Sequence, residues 1–306
     1  MKEFLVVEAG ERAPQRLRRK ALDLTDSLVA KLEGPQDSKT IHDARRRLKE
    51  LRALTLLLGR GKAEGRFFRD AGRELSGARD AKAALEAFDR LRERFASEWK
   101  PKQFQKIRRA LAARVDVPID PISLEALRST LIVERGHIAA WPVDEMRRDE
   151  LWSALSSSYR RARRGMKRAL EERTIEATHR WRKRVKMHWY HAQFLTMVSL
   201  GRFEARNEAL RRLSRTLGDH HDLILIDDIC RRTPELFGSA RYARLFHTFV
   251  TRELTDLFAA AEEAGRELFR EPTREWIARV REDEPRLRIG PKKTPPRQTS
   301  RPRMLA

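Results

Sequence analysis

Several of the usual means of anchoring or bracing a chain are missing from this sequence. Cysteine occurs once in 306 residues, at Cys230, so no disulfide framework can form within the chain and the composition fits a reducing cytosol. The neighbours Leu225, Ile226 and Ile229 mark Cys230 as a buried small hydrophobe rather than a nucleophile. No apolar run approaches the ~18 residues of a transmembrane helix, and the opening Met1-Lys-Glu-Phe-Leu-Val-Val-Glu8 is too short in apolar residues for a signal peptide. Alternating strand patterns are almost absent, with residues 4–7 the one short candidate. Acidic residues are in deficit: 45 Asp+Glu face 67 Lys+Arg, a net charge of +22. Self-repulsion of that size opposes compaction unless something negative binds. Nucleic acid, polyphosphate and anionic membrane are the partner classes it admits.

What remains is helical. Gly and Pro are sparse between 15 and 115 and between 144 and 233. The pattern predicts helices near 12–33, 38–59, 62–77, 79–96, 100–115, 122–135, 144–172, 174–199, 202–217, 220–232, 235–265 and 272–281. Val117-Pro118-Ile119-Asp120-Pro121 and Trp141-Pro142 break the chain, and Asp144 is placed to cap the helix that follows. The chain is therefore expected to be all-α, with an N-terminal half at 10–135, a C-terminal half at 144–281 and a disordered basic tail at 282–306. The tail holds seven Lys/Arg against three acids, so +18 of the +22 stays on the folded part.

The halves repeat. His42-Asp-Ala-Arg45-Arg46-Arg47-Leu48-Lys49-Glu50-Leu51-Arg52 recurs 137 residues later as His179-Arg-Trp-Arg182-Lys183-Arg184-Val185-Lys186-Met187-His188-Trp189. Leu75-Ser-Gly-Ala-Arg79-Asp80 is echoed by Leu217-Gly-Asp-His-His221-Asp222. More loosely, Arg16, Arg18, Arg19 and Lys20 precede the first motif as Arg160, Arg161, Arg163, Arg164 and Lys167 precede the second. At about 100° per residue, His42, Arg45, Lys49 and Arg52 share a stripe of roughly 80°, opposite Leu48, Leu51, Leu54 and Leu58. In the second copy Trp181, Val185, Ala192 and Leu195 take the core face, and His179, Arg182 and Lys186 the basic one. A donor at each helical turn suits a polymer that carries charge at every unit and only acceptor oxygens outside. Arg can chelate two such oxygens, Lys gives a mobile point charge, and His gains a charge if a phosphate raises its pKa.

These residues resemble the CHAD family, named for its histidine-bearing α-helical domain. Its pattern is carried by His42-x-x-Arg45-x-x-x-Lys49-x-x-Arg52, by His179-x-x-Arg182-Lys183-x-x-Lys186, by Arg79-Asp80 and His221-Asp222, and by the basic segment Tyr159-Arg160-Arg161-Ala162-Arg163-Arg164. The resemblance covers roughly 10–280. It implies two antiparallel helical bundles of about four helices each, related by a pseudo-twofold around a basic groove. It also implies binding of inorganic polyphosphate and association with polyphosphate granules. The expected ligand contacts are His42, Arg45, Arg46, Lys49, Arg52 and Arg79 from the first half, and Arg160, Arg163, Arg164, His179, Arg182, Lys183 and Lys186 from the second. Three departures stand out: Glu50 where a base is common, Trp189 in place of Arg52, and His188 and His191 in place of Leu51 and Leu54.

Catalysis and metal binding find little support. Cys230 has no evident base, no phosphate-cradling glycine loop occurs, and adjacent acids such as Asp227-Asp228 and Glu262-Glu263 point about 100° apart on a helix. His188 and His191 fall on the core face as a packed pair. The repeat counterpart of His221 is Arg79, which cannot replace a zinc ligand, so His221 reads as an anion contact and Asp222 as a helix cap or arginine partner. No cofactor, metal or membrane insertion is expected. Non-specific nucleic-acid binding is the rival reading. Against it, the stripes lack interleaved stacking aromatics, Trp189 and Tyr190 excepted, and no short helix-turn-helix with a polar recognition helix is evident.

Overall fold

A computed structural model describes residues 11–34, 37–99, 104–115, 121–198 and 203–282, with 38, 62, 76–80, 121 and 122 described by backbone alone. Among these, every regular element is a helix: α1 (Ala13–Glu33), α2 (Ser38–Leu57), α3 (Lys62–Glu74), α4 (Ser76–Arg94), α5 (Gln105–Ala113), α6 (Pro121–Ala139), α7 (Arg148–Glu172), α8 (Ile175–Met197), α9 (Glu204–Arg232), α10 (Ala240–Leu268) and α11 (Thr273–Glu282), with a 3-10 turn at Pro234–Phe237. The strand candidate at 4–7, the break at 117–120 and the tail beyond 282 lie outside the described residues.

Local chemistry fixes the ends. The Asp37 carboxylate accepts from the Thr40 N–H at 2.7 Å to open α2, and the Thr174 hydroxyl accepts from the Ala177 N–H at 3.2 Å to open α8. Asp37 and Thr174 are 137 residues apart, so the repeat extends to the caps. Asp144 does not cap α7, which starts four residues later behind Arg147, with Glu150 accepting from the Arg147 N–H. It accepts instead from Gln15 Nε2 at 2.6 Å and pairs with Arg18, while Arg12 donates to the carbonyls of Asp144 and Met146. These bonds tie α1 to the turn that opens the second half. The basic run ahead of the first motif is largely consumed this way: Arg16 is buried, Arg18 holds Asp144 and Arg19 pairs with Glu11.

Two expected breaks fare differently. The chain turns at Leu75 between α3 and α4, but α9 runs straight through Gly218-Asp219, where two helices were expected. Asp222 is therefore buried inside a helix and caps nothing.

Helix pairing recurs in the two halves. α2 packs on α1 and α3 as α8 packs on α7 and α9, and α6 covers α1 as α11 covers α7. The two motif helices, α2 and α8, also pack on one another. Glu50 feels the charge of Lys186, and Lys183 that of Arg52, so the two helices run antiparallel. Residues 137 apart face each other only near Lys49 and Lys186, the geometry that a twofold axis through the crossing requires. The core faces are as expected: Leu48, Leu51, Leu54, Leu58, Trp181, Val185, Ala192 and Leu195 are all fully buried.

The apolar interior divides across the sequence halves rather than between them. The larger cluster takes α1–α3, α6–α8, the start of α9, the end of α10, and α11. The smaller one joins α4 and α5 to the end of α9 and the start of α10, where Phe95 stacks on Phe249 at 4.8 Å and Trp99 at 5.4 Å.

Candidate anion-binding surface

The crossing of α2 and α8 gathers the first motif. His42, Arg45, Arg46, Lys49 and Glu50 meet Lys186, Trp189, Tyr190 and Gln193 around a recess of about 170 Å³. His42 and Arg46 are exposed, Lys49 and Lys186 half-buried, and Arg45 is buried. Lys186 Nζ sits 5.9 Å over the Tyr190 ring. Glu50, one of the departures noted above, lies beneath these cations at 3.5 Å from Arg46. Burial raises its carboxyl pKa, against the lowering pull of Arg46, Arg47, Lys20 and Lys186.

Arg52, Arg164 and Lys183 line a second and larger recess, a cleft of about 1060 Å³ between α7 and α8. The cleft also takes Arg161, Lys167, Arg168 and Arg184, none of them among the expected contacts, and Glu171 and Glu172 at its end. The missed signal is the spacing of Arg161, Arg164 and Arg168, which puts all three within about 60° on one flank of α7. Arg184 lies along α7 because residue 165 is glycine: a Cβ there would meet Arg184 Cδ at 2.9 Å. Its pKa is lowered by burial and by Arg164, Arg180, Arg168 and Arg161. Lys183 is lowered by burial and then by Arg182, Arg52 and Arg73. These are mutually repelling cations held close together.

His179 and Arg182 face α9. The His179 ring is 4.4 Å from that of His221, and Gly218 leaves room for the Arg182 guanidinium, 3.8 Å from where a Cβ would stand. Burial, then Lys183 and Arg182, bring the His179 pKa down to about 4, so it is neutral near pH 7. Arg160 is exposed on α7 and lines neither recess. Arg163 points to the opposite flank, where its Nε donates to the Phe269 carbonyl at 3.0 Å. The Arg79 side chain lies outside the described residues.

The remaining chemistry-bearing groups are absorbed by structure. His188 is fully buried, and its ring lies 2.9 Å from the Ser158 hydroxyl, which itself donates to the Leu155 carbonyl. The hydroxyl has one proton, so His188 Nδ1 is the donor to Ser158. His191 is buried too, and burial takes its pKa to about 4 against the backbone of Ala53 and Ala154. Cys230 is buried, its thiol pushed up to about 12. Asp227 pairs with Arg231 and His247, Asp228 with Arg232, and Glu262 with Arg173 and Arg266. No cluster of three metal-ligating side chains, and no helix long and apolar enough to cross a membrane, occurs among the described residues.

Among curated proteins no significant sequence match was found. Among solved structures, the crystal structure of the CHAD domain from the plant Ricinus communis superposes with a TM-score of 0.60 at 17% identity, covering 88% of this chain and 96% of that one. The sequence model of the CHAD domain matches residues 20–231. With more than half of its length matched by that model, and an all-helical fold shared with a solved member, the chain belongs to the CHAD family.

Proposed function

We propose that this protein binds inorganic polyphosphate without catalysing its cleavage, and that binding places it on polyphosphate granules in the cytosol. The family is one associated with polyphosphate. The observation that carries the reading is the meeting of the two repeated basic motifs at the α2–α8 crossing, where His42, Arg45, Arg46 and Lys49 share a recess with Lys186. Arg52, Lys183 and Arg164 continue the cationic surface, His179 and Arg182 flank it on the α9 side, and Arg79 and Arg160 extend it. Arg163 belongs to this set only by sequence, since its guanidinium is held by Phe269. Binding is electrostatic: many charge-assisted hydrogen bonds with release of counterions, and no readout of a base or sugar. The buried state of Trp181 and Tyr190 removes them as stacking platforms for single strands.

The test is a competition titration at physiological salt. Labelled long-chain polyphosphate is displaced by unlabelled polyphosphate, single-stranded DNA, duplex DNA or RNA, matched in phosphate. The full chain is compared with one ending at Arg281, which lacks the basic tail. Polyphosphate winning by tenfold or more, about 1.4 kcal/mol, in the truncated chain supports a selective site. Equal competition by nucleic acid overturns selectivity and leaves a general polyanion surface.

A further inference from the structure

The cleft between α7 and α8 is not part of the repeat. At the 137-residue offset, Arg161, Arg164 and Lys167 correspond to Leu24, Ser27 and Ala30 of α1. Arg168 and Arg180 correspond to Lys31 and Asp43, which form an ion pair of 3.1 Å across α1 and α2. In the first half that helix pair is therefore self-neutralised. In the second, an arginine stands where Asp43 would be, and Arg168 and Arg180 share Glu172. No carboxylate among the described residues comes within ion-pair distance of Arg52, Arg161, Arg164, Lys167, Lys183 or Arg184, whereas arginines elsewhere on the surface are widely paired. These six cations come from three helices and surround one volume.

A long chain lying on a stripe gains from many weak contacts on one side. A short anion lacks those neighbours and needs donors around it. The α2–α8 recess, at about 170 Å³, is narrow; the cleft, at about 1060 Å³, is of the size that encloses a small ligand. Leu56, Ala154 and Met187 add an apolar part to its wall.

We propose that the α7–α8 cleft is a second, self-contained site for a short linear phosphoanhydride, the triphosphate group, walled by Arg161, Arg164 and Lys167 of α7, Lys183 and Arg184 of α8, and Arg52 of α2. The ligand chemistry rests on the polyphosphate reading above; the location rests on the asymmetry of the two helix pairs. The triphosphate can be free or borne by a nucleoside.

The experiment is calorimetric titration of the full chain with inorganic tripolyphosphate, ATP and long-chain polyphosphate. The variants are Arg161→Ala/Lys167→Ala, its Gln counterpart, and Lys49→Ala/Lys186→Ala. Arg161 and Lys167 are exposed, so their loss leaves the core intact, as thermal melting verifies. Both α7 variants should weaken tripolyphosphate tenfold or more, about 1.4 kcal/mol. Lys49→Ala/Lys186→Ala should weaken the long chain more than tripolyphosphate. ATP binding as tightly as tripolyphosphate assigns the cleft to nucleoside triphosphates, and ATP failing to bind assigns it to the inorganic anion. Tripolyphosphate affinity within twofold of wild type in both α7 variants overturns the proposal, as does the absence of saturable tripolyphosphate binding to the wild type. Wild-type long-chain affinity in Lys49→Ala/Lys186→Ala, with tripolyphosphate binding still lost in the α7 variants, overturns the crossing site and leaves the cleft standing.

Discussion

Replacing Lys49 and Lys186 together by alanine probes the point where the two motifs cross. Both side chains are half-buried and line the same recess. A hydrogen bond to a charged group contributes about 1.5–3 kcal/mol when shielded from water, and an exposed ion pair about 0.2–1 kcal/mol. Half-burial places each lysine–phosphate contact near 1–1.5 kcal/mol, so the pair contributes about 2–3 kcal/mol, or roughly 30- to 150-fold in affinity. Glu50 pushes the loss toward the upper end: Lys186 is one of the cations that offset its charge, and without it the carboxylate repels phosphate more strongly. Glu50→Gln in the double variant should therefore restore part of the affinity. Two lost contacts should also flatten the plot of log K against log salt by about 1.4, at roughly 0.7 per phosphate on a single-stranded polyanion. Anisotropy of labelled long-chain polyphosphate across a salt series reads both quantities. A loss under about threefold, with the slope unchanged, would refute the reasoning, because shielded contacts cannot be that weak.

Three further outcomes follow from buried or crowded groups. Gly265→Ala drives a Cβ to 2.7 Å from the ring of fully buried Trp181. Overpacking of about 1–3 kcal/mol outweighs a helix-propensity gain of at most about 1 kcal/mol, so the melting temperature should fall by a few degrees; a rise would show that α10 can shift. His191 is held neutral with a folded pKa of about 4, so the unfolded chain binds the extra proton and stability is lost as pH falls from about 6.5 toward 4. That contribution is on the order of 3 kcal/mol, and His191→Leu, matching Leu54 of the first copy, should flatten acid melting between pH 7 and pH 4.5; an unchanged profile would show that other groups govern it. His179 is likewise neutral when free, but a bound phosphate raises its pKa, so binding takes up a proton and affinity rises as pH falls through the bound-state value toward about 4. Calorimetry near pH 6 in buffers of different ionisation enthalpy should register the uptake in wild type and lose it in His179→Gln.

The sequence announces the helices because Gly and Pro are confined to their ends and the apolar period is regular, as in Leu48, Leu51 and Leu54. Its misreading at α9 is instructive. Gly218 has the composition of a break, yet an isolated glycine costs a helix only about 1 kcal/mol, and here its missing side chain leaves space for Arg182. The crossing recess was legible because two stripes in register must meet if their helices pack. The cleft was not, because residues 160–164 are basic on almost every face. Periodicity cannot say which flank α8 will cover and which α11 will. Packing sends Arg161 into the cleft and turns Arg163 toward a backbone carbonyl.

The smaller apolar interior bears on how such a chain can arise. Phe88, Phe95 and Trp99 of the first half are covered by Phe246 and Phe249 of the second. Neither half alone hides its own aromatic face. A single-copy ancestor would have closed that face only against another copy of itself, and its folding would have depended on concentration. Duplication and fusion make the encounter intramolecular. They also free the copies to diverge. In a homodimer, exchanging Asp43 for a cation would alter both helix pairs at once. In the fused chain the first half keeps its Lys31–Asp43 pair while the second carries Arg180 in its place beside an open basic cleft.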